Sequence, residues 1–301
     1  MAKRKSGRDV HGIILLDKRL GLSSNQALQE VRRLLNANKA GHTGSLDPLA
    51  TGVLPLCFGE ATKVSALMLD DDKRYTVTMK LGVMTDTGDC EGQIVAEMPV
   101  PSFDEPQLQQ CLQSFLGDID QVPPMYSALK HQGKKLYELA REGKTVERPA
   151  RRIRIDELNI LAFDAASITL DVACSKGTYI RSLTEDIGHA LGSCATVTVL
   201  RRTAAGMFGI EQTHTWPELQ AMSAETLQAI LLPVDLPLQG IPPLSLEDEQ
   251  ALRIQQGQQI FIDDLQVGPV RLYHQQTFLG LGEILLNGKL APKKIFNLNA
   301  T

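Results

Sequence analysis

The chain has 301 residues, of which 43% are hydrophobic and 22% charged, and its formal net charge at pH 7 is -4. These values exclude a disordered or collagen-like chain, and no apolar run approaches the roughly 20 residues of a membrane helix. The apolar run after the basic start, Ile13 to Leu16, is too short for the core of a secretory signal. We therefore expect a cytoplasmic protein of two domains, or of one large domain with an appendage.

The cysteines and histidines do not form a metal-binding pattern. The five cysteines are odd in number and widely spaced, which argues against a disulfide framework and against a CxxC site. The six histidines include neither an HExxH nor an HxH pair, so we expect no metal site. We predict buried, reduced thiols.

Charge is distributed unevenly along the chain. The residues from Trp216 onward carry nine acidic and five basic side chains, so the acidic excess lies in the C-terminal part. The segment from Lys130 to Arg154 carries nine basic side chains against three acidic ones. Such an excess favours contact with a polyanion, because a solvated helix usually interleaves its charges. Charge alone leaves nucleic-acid contact an open alternative.

The first elements follow from apolar periodicity. The run from Gly12 to Leu16 predicts a buried strand. Ser23, with Gln26 three residues later, predicts a capping box at the start of a helix whose apolar spacing continues to Leu35. Residues Arg74 to Gly82 alternate between apolar and polar side chains, which predicts a strand with one buried face.

The middle of the chain predicts a strand, a turn and a helix in succession. Ile168 to Cys174 alternates, and the turn at Lys176-Gly177 leads to Thr178. Thr178 is the predicted cap of a helix that ends before Gly192.

Prolines then mark a linker. The four prolines between Pro233 and Pro243 predict a domain boundary near Ser245. Beyond it we predict a short helix around Leu246 to Gln255 and a hairpin at Asn287-Gly288. These elements indicate a small β-rich domain.

Two short motifs carry no function. Asp86-Thr87-Gly88 has the letters of an aspartic protease loop, but that chemistry needs two carboxylates that share a proton, and the sequence has no second copy. We interpret it as a tight turn in which Asp86 or Asp89 bonds the backbone. Ser127 and Lys130 fit an SxxK pattern whose partner motifs are missing, so we interpret the match as chance.

One glycine-rich segment differs in kind. Residues 41–54 read GHTGSLDPLATGVL, and the Asp47-Pro48 step holds the carboxylate in an extended or turn conformation. Spacing alone favours a turn in which Asp47 is a cap. The segment strongly resembles, however, the catalytic loop of the TruB family of tRNA pseudouridine synthases, in which the aspartate of the LDP step is essential.

The resemblance extends over the whole chain. Further segments look like family motifs, in family order, and they are Lys73-Arg74-Tyr75, Thr85-Asp86-Thr87, Tyr126 to Lys130, Cys174 to Arg181 and Leu200-Arg201-Arg202. The tail resembles the RNA-binding PUA domain of the family. One departure is Arg19, where the family usually has proline in its Lys-Pro-x-Gly motif, and this affects no catalytic residue.

The resemblance implies an α+β fold, with a mixed, largely antiparallel central sheet flanked by helices and a small β-rich C-terminal PUA-like domain. It implies a catalytic domain over residues 1–240, which includes a basic RNA-gripping insertion at about 122–154, and a PUA-like domain over residues 245–301.

The implied reaction is the isomerisation of a T-loop uridine, position 55 in conventional tRNA numbering, to pseudouridine. The glycosidic bond breaks and the uracil rejoins through C5, so no cofactor is needed for redox or group transfer. Resemblance assigns the catalytic roles to Asp47, Tyr75 and Arg181. An ionised carboxylate can attack the sugar C1′ or the base, or remove a sugar proton, and the sequence leaves these alternatives open. We predict that Arg181 keeps Asp47 ionised.

Five further residues are predicted to bind substrate. By resemblance His42 fills the space that the flipped base leaves, and Leu200 lines the uracil pocket; the others are Tyr179, Lys18 and Lys130. Base flipping costs a few kcal/mol. The expected partner is the T arm and T loop of tRNA, bound by a monomer with no membrane and no obligate protein partner. Two other hypotheses are a non-catalytic RNA-binding or RNA-folding protein, a role that can coexist with catalysis, and an aspartic protease.

Overall fold

The computed structural model describes residues 7–262 and 266–298. Its strands, in chain order, are β1 (Gly12–Lys18), β2 (Ala40–His42), β3 (Ala50–Phe58), β4 (Lys73–Leu81), β5 (Val83–Thr85), β6 (Ile94–Glu97), β7 (Gly117–Gln121), β8 (Lys130–His131), β9 (Lys134–Lys135), β10 (Arg151–Phe163), β11 (Ser167–Cys174), β12 (Ala195–Ala205), β13 (Phe208–Gly209), β14 (His214–Thr215), β15 (Pro243–Ser245), β16 (Ile260–Phe261), β17 (Gly268–His274), β18 (Thr277–Ile284) and β19 (Lys289–Ile295). Its helices are α1 (Ser24–Leu34), α2 (Ser65–Met68), α3 (Glu105–Gln113), α4 (Leu136–Arg141), α5 (Ile180–Ala190), α6 (Trp216–Ala221), α7 (Ala224–Ala229) and α8 (Asp248–Gln255). The outermost residues of both predicted domains, 1–6 and 299–301, lie outside the described ranges.

A large sheet forms the centre of the molecule, with the strand order β14-β1-β3-β12-β4-β11-β10-β7; β2 also pairs with β3, and β13 with β12. The β1–β14 and β3–β12 pairs are parallel, whereas β1–β3, β4–β11, β4–β12, β7–β10 and β10–β11 are antiparallel. The predicted α+β fold with a mixed, largely antiparallel sheet is confirmed. Because β3, β12 and β4 are neighbours, segments far apart in sequence meet at the middle of the sheet.

Both faces of the large sheet are buried at β1, where the run from Ile13 to Leu16 is apolar throughout. Ile14 and Leu16 point into a core shared with α1, α3 and α5. Ile13 and Leu15 point into a second core on the opposite face. Since successive strand residues face opposite sides, the four residues from Ile13 to Leu16, which are covered on both sides, are all apolar.

The second core connects the large sheet to the C-terminal unit. That unit is a five-stranded sheet in the order β15-β17-β18-β19-β16. Its residues Phe278 and Phe296 pack with Val53 and Cys57 of β3. The Lys63 ammonium also donates to the carbonyl oxygen of Ile295 at 2.7 Å. The C-terminal unit therefore packs against one face of the large sheet at β1 and β3.

Most local predictions are confirmed. Helix α1 begins with the Ser23 capping box, helix α5 ends before Gly192, and the Asn287-Gly288 turn joins β18 to β19. Asp86 accepts from the backbone N–H of Gln93 at 2.8 Å, as the turn interpretation requires.

Two local predictions are wrong. The N-cap residue of α5 is Tyr179, not Thr178, whose hydroxyl instead donates to Ser175 within the preceding turn. The buried Gln121 side chain bonds both the N–H and the carbonyl oxygen of Tyr179, so a distant residue fixes the backbone at the start of α5, which has no side-chain cap. Cys90 is exposed because it lies in a surface turn, whereas Cys57, Cys174 and Cys194 are buried and Cys111 is half-buried, and all five are free thiols.

Among the described helices, none is long and apolar enough to cross a membrane.

Candidate active site

Two cavities meet at the centre of the large sheet. An inner cavity of about 320 Å³ lies beside Tyr75 and Leu200. An outer cleft of about 730 Å³ runs past the N-terminus of α1 and past α4. The two cavities share six of their lining residues, which are Ser45, Leu46, Asp47, Ser127, Ala128 and Arg181. We call these six residues the junction.

The loop that carries Asp47 is fixed from two sides. The Ser24 hydroxyl accepts from the N–H of Leu46 at 2.7 Å and lies 3.1 Å from its carbonyl oxygen, to which it can donate. The N–H of Gly21 donates to the carbonyl oxygen of Pro48 at 2.9 Å. These bonds set the backbone on both sides of Asp47, so its carboxylate is presented from a rigid loop.

Position 52 of this segment must be glycine for two structural reasons. Its φ is +102°, and a Cβ there would lie 2.1 Å from the carbonyl oxygen of Arg202. Only glycine tolerates both the left-handed backbone and this approach. The close contact between β3 and β12 places Arg202 beside the loop, where it donates to Val53 at 2.7 Å and to Gly44 at 3.2 Å.

Asp47 and Arg181 form an ion pair at the junction. The Asp47 Oδ2 atom lies 2.9 Å from Nη2 of Arg181, and 43% of the Asp47 side chain is exposed against 5% of Arg181. Arg181 also donates to the carbonyl oxygens of Thr87 at 2.6 Å and Tyr126 at 2.7 Å. Burial in the cleft raises the pKa of the Asp47 carboxyl, and the Arg181 charge opposes this rise. The arginine is thus held by the protein and counteracts protonation of the carboxylate.

Tyr75 and Leu200 form apolar walls of the inner cavity. Tyr75 is 9% exposed and pairs with Arg202 in the sheet register. Burial raises the pKa of the Tyr75 phenol, opposed by the nearby Arg202 charge. The phenol is therefore protonated at neutral pH. Tyr179 lines the same cavity.

His42 lies at the end of β2 and lines the outer cleft. Burial lowers the pKa of its imidazole, and the positive charge of Arg202 lowers it further. His42 is therefore neutral at neutral pH, and its Nδ1 atom has no hydrogen-bond partner among the described residues.

The structure separates two predicted substrate-binding residues from the cavities. Lys18 is fully buried and lines neither cavity. Its ammonium donates to the carbonyl oxygens of Leu22 at 2.6 Å, Arg19 at 3.0 Å and Pro48 at 3.4 Å, and burial lowers its pKa to about 8. It fixes the loop behind Asp47. Lys130 is exposed on β8 and also lines neither cavity.

Sequence reasoning missed several residues that line the site. Arg202 lies in the Leu200-Arg201-Arg202 motif, but no role is predicted for it there. Residues two apart on a strand face the same side, so its spacing from Leu200, a predicted pocket residue, was the available signal. Lys135, Tyr137 and Arg141 line the outer cleft, and an aromatic residue inside a basic stretch is a recognisable nucleic-acid signal. The Lys135 and Arg141 charges lie 5.4 and 5.5 Å from the Tyr137 ring centroid. Nothing in the sequence indicates the role of Gln121.

Three models of known families match successive parts of the chain. Residues 32–180 match the TruB family pseudouridylate synthase N-terminal domain. Residues 181–239 match the tRNA pseudouridylate synthase B C-terminal domain, and residues 242–296 match the C-terminal model of pseudouridine synthase II TruB.

Two curated relatives match almost the full length. The tRNA pseudouridine synthase B of Chromohalobacter salexigens is 50% identical over 300 residues, covering 99% of this chain and 98% of the relative. That of Actinobacillus pleuropneumoniae is 51% identical over 302 residues, covering 98% and 99%. The chain belongs to the TruB family of pseudouridine synthases. It is an enzyme, an isomerase of the tRNA pseudouridine synthase class, and the predicted resemblance is confirmed.

Solved structures share the fold at lower identity. A Cbf5-Nop10-Gar1 complex contains a chain that is 24% identical, with a TM-score of 0.71 over 95% of this chain and 85% of that chain. An H/ACA RNP bound to a substrate RNA containing 2'-deoxyuridine gives 22% identity and a TM-score of 0.70, covering 100% of this chain and 92% of the other. The fold therefore extends over the catalytic sheet and the C-terminal sheet together.

Proposed function

We propose that this enzyme isomerises uridine 55 in the T loop of tRNA to pseudouridine. One observation carries the proposal: an ion-paired carboxylate, Asp47, lies at the junction between an inner cavity walled by Tyr75 and Leu200 and an open outer cleft. A flipped uracil fits the inner cavity, while the polynucleotide follows the cleft. The family membership supports tRNA as the substrate.

The chemistry is cofactor-free. The bond between N1 of uracil and C1′ of the ribose breaks, the base turns, and C5 forms the new bond to C1′. C5 loses a proton as N1 gains one, so the net reaction needs no external acid, base or oxidant. Asp47 initiates it as a carboxylate, by attack on C1′ or on the base or by removal of a sugar proton.

Tyr75 takes part as a neutral phenol. Its ring stacks on the uracil. Because burial keeps it protonated, it can accept the C5 proton only while its own proton passes to another acceptor. Tyr75 therefore relays the proton that moves from C5 towards N1. Arg181 keeps Asp47 ionised through the loss of the base.

The remaining assignments follow from the same substrate. His42 fills the gap that the flipped base leaves in the loop, and the insertion over residues 122–154 grips the T arm. Residues 245–301 act as a PUA-like RNA-binding domain attached to a catalytic domain over residues 1–240. The enzyme acts in the cytoplasm as a monomer, and its binding to tRNA also assists folding of the RNA.

The test is pseudouridine mapping after incubation with unmodified tRNA. We expect modification at position 55 and none in a matched transcript with cytidine at that position. Activity on prefolded tRNA should survive chelation of transition metals. Pseudouridine at another position would overturn the T-loop assignment, and cleavage of a peptide substrate would favour the protease hypothesis.

A further inference from the structure

Gln121 is a buried side chain that holds the start of α5. It is 2% exposed and is the last residue of β7. Its Oε1 atom accepts from the backbone N–H of Tyr179 at 2.8 Å, and its Nε2 atom donates to the carbonyl oxygen of the same residue at 3.0 Å. Tyr179 begins α5 without a side-chain cap. Both ends of the Gln121 amide, the acceptor and the donor, are therefore used to fix one residue at the helix start.

The backbone fixed in this way carries Arg181. Arg181 lies two residues after Tyr179, in the first turn of α5. Directly beyond it, the Ser182 hydroxyl donates to the carbonyl oxygen of Val122 at 3.2 Å. Two adjacent residues, Gln121 and Val122, thus hold the helix on both sides of Arg181.

This support determines where the Arg181 guanidinium lies. Its Nη2 atom donates to the carbonyl oxygen of Tyr126 at 2.7 Å and lies 2.9 Å from Oδ2 of Asp47. Because charge-assisted hydrogen bonds depend on short distances and good angles, a shift of the helix start would weaken the ion pair. We propose that Gln121 is a positioning residue for the reaction, because it fixes the backbone from which Arg181 reaches Asp47. This inference rests on the proposed function, in which the arginine keeps Asp47 ionised.

Gln121 also lies at the base of the basic insertion. It pairs with Arg151 in the register of β7 and β10. A role in holding the insertion predicts weaker tRNA binding when the amide is removed. A role in positioning Arg181 predicts normal binding and a change in the ionisation of Asp47. The two roles can therefore be separated by measurement.

The test is the pH dependence of the single-turnover rate on tRNA for the full chain with Gln121→Met, whose side chain has a similar length and no amide. In the proposed function the rate falls at low pH because Asp47 is protonated. The charged groups that act on this carboxyl include Arg181, Lys18 and Asp89, and of these only Arg181 lies on the helix turn that Gln121 holds. Since a neighbouring cation lowers the pKa of an aspartate by roughly 1 to 3, partial loss of the ion pair should move the midpoint of this acid limb upward by about 0.5 to 1 pH unit. Affinity for tRNA at neutral pH should stay within about 2-fold of normal.

Gln121→Asn is the second variant, and it decides the question if Gln121→Met folds poorly. Its shorter amide is neutral and can bond one of the two Tyr179 groups, so its midpoint should lie above that of the unchanged enzyme and below that of Gln121→Met. The matched control is Tyr273→Phe, which removes a hydroxyl that bonds Asp235 and Arg271 near the C-terminal sheet. It should lower the melting temperature without moving the acid limb.

An acid limb that stays in place in both Gln121 variants would overturn the proposal. So would an equal shift in Tyr273→Phe, because the shift would then follow from lower stability alone. Weaker tRNA binding with an unmoved limb would assign Gln121 to the insertion instead. The unchanged enzyme tests the proposed function separately, since a failure to modify position 55, or a rate without an acid limb, would contradict that function whatever the Gln121 variants do.

Discussion

Burial and a neighbouring cation have opposite effects on the protonation of Asp47. Desolvation favours its neutral form, and the guanidinium of Arg181, fixed by the carbonyl oxygens of Thr87 and Tyr126, favours the charged form. The arginine does not depend on Asp47 for its position. Removal of the carboxylate charge should therefore leave the arginine, and the site around it, in place.

Asp47→Asn tests this directly. Because the change is nearly isosteric and removes the initiating charge, single-turnover rate should fall by at least about a thousandfold while tRNA affinity and melting temperature stay near those of the unchanged enzyme. Rapid-quench kinetics and equilibrium binding on one preparation provide the measurement. A variant that kept more than a small fraction of the rate would remove Asp47 from its catalytic role.

Tyr75→Phe separates the aromatic ring from the hydroxyl. The ring remains, and in our proposal its stacking on uracil contributes roughly 1 to 3 kcal/mol per base, so affinity should be close to normal. The C5 proton loses its relay, so isomerisation should not be completed. Turnover within a few-fold of the unchanged enzyme would mean that Tyr75 is a core residue of β4 and nothing more.

The basic side chains on and around α4 fall into two groups that differ in their surroundings. Lys134 and Lys144 both lie within ion-pair distance of Glu142, at 3.5 and 2.8 Å. Lys135 and Arg141 line the outer cleft instead, on either side of Tyr137. Only the second pair is placed to meet phosphates in the cleft.

Lys135→Ala with Arg141→Ala should therefore flatten the salt dependence of tRNA binding. Each lost phosphate contact removes roughly 0.7 to 0.9 from the slope of log affinity against log salt. The matched control is Lys134→Ala with Lys144→Ala, which removes the same charge but should change the slope less. Equal changes in the two double variants would mean that the cleft does not hold the RNA backbone.

Helix α5 carries a second titrating group behind Arg181. Burial raises the pKa of Glu185 to about 7, with Asp186 adding to the rise and Arg181 and Arg148 opposing it. A carboxyl with a raised pKa stabilises the folded state most below its ordinary pKa of 4.5. This contribution is lost as pH rises through 7, because the folded state then holds a disfavoured charge.

Glu185→Gln should thus be more stable than the unchanged enzyme at pH 8, by on the order of 1 to 3 kcal/mol, and should lose this advantage near pH 4.5. Urea unfolding across that range measures the difference. Glu97→Gln, at an exposed carboxyl of β6, is the control for the removal of one negative charge. A constant difference for Glu185→Gln would contradict a buried, titrating carboxyl.

For the molecule as a whole, the shared second core couples the C-terminal unit to the catalytic sheet. Phe278 and Phe296 belong to the same cluster as Ile13, Leu15 and Val53. Deletion of the C-terminal unit would therefore expose apolar surface on β1 and β3. Point substitutions probe this coupling without removing the fold.

Phe278→Ala should destabilise the full chain by about 3 kcal/mol or more, the usual result of emptying a buried phenylalanine site. Leu286→Ala, at a residue that is 93% exposed, should leave stability unchanged. If the two units are coupled, thermal unfolding of Phe278→Ala should show one shifted transition. Two separate transitions, with the catalytic one unmoved, would show that the units fold independently.

Patterns between near neighbours in the sequence predict much of the local structure. Alternation in β4 and β11, the Ser23 capping box and the Asp47-Pro48 step depend on near neighbours, so their patterns could be read directly. The motifs that resemble the family also pointed to Asp47, Tyr75 and Arg181 as catalytic candidates, although these residues lie far apart in the sequence.

Only the assembled sheet shows which of these residues meet. The parallel β3–β12 pair and the antiparallel β12–β4 pair bring Arg202 beside Tyr75, and no periodicity within one strand specifies its neighbours in a sheet. The burial of Lys18 and the two hydrogen bonds between Gln121 and the Tyr179 backbone both depend on contacts between distant segments. Such contacts leave no local pattern, because the free energy that selects them arises only when the sheet is assembled.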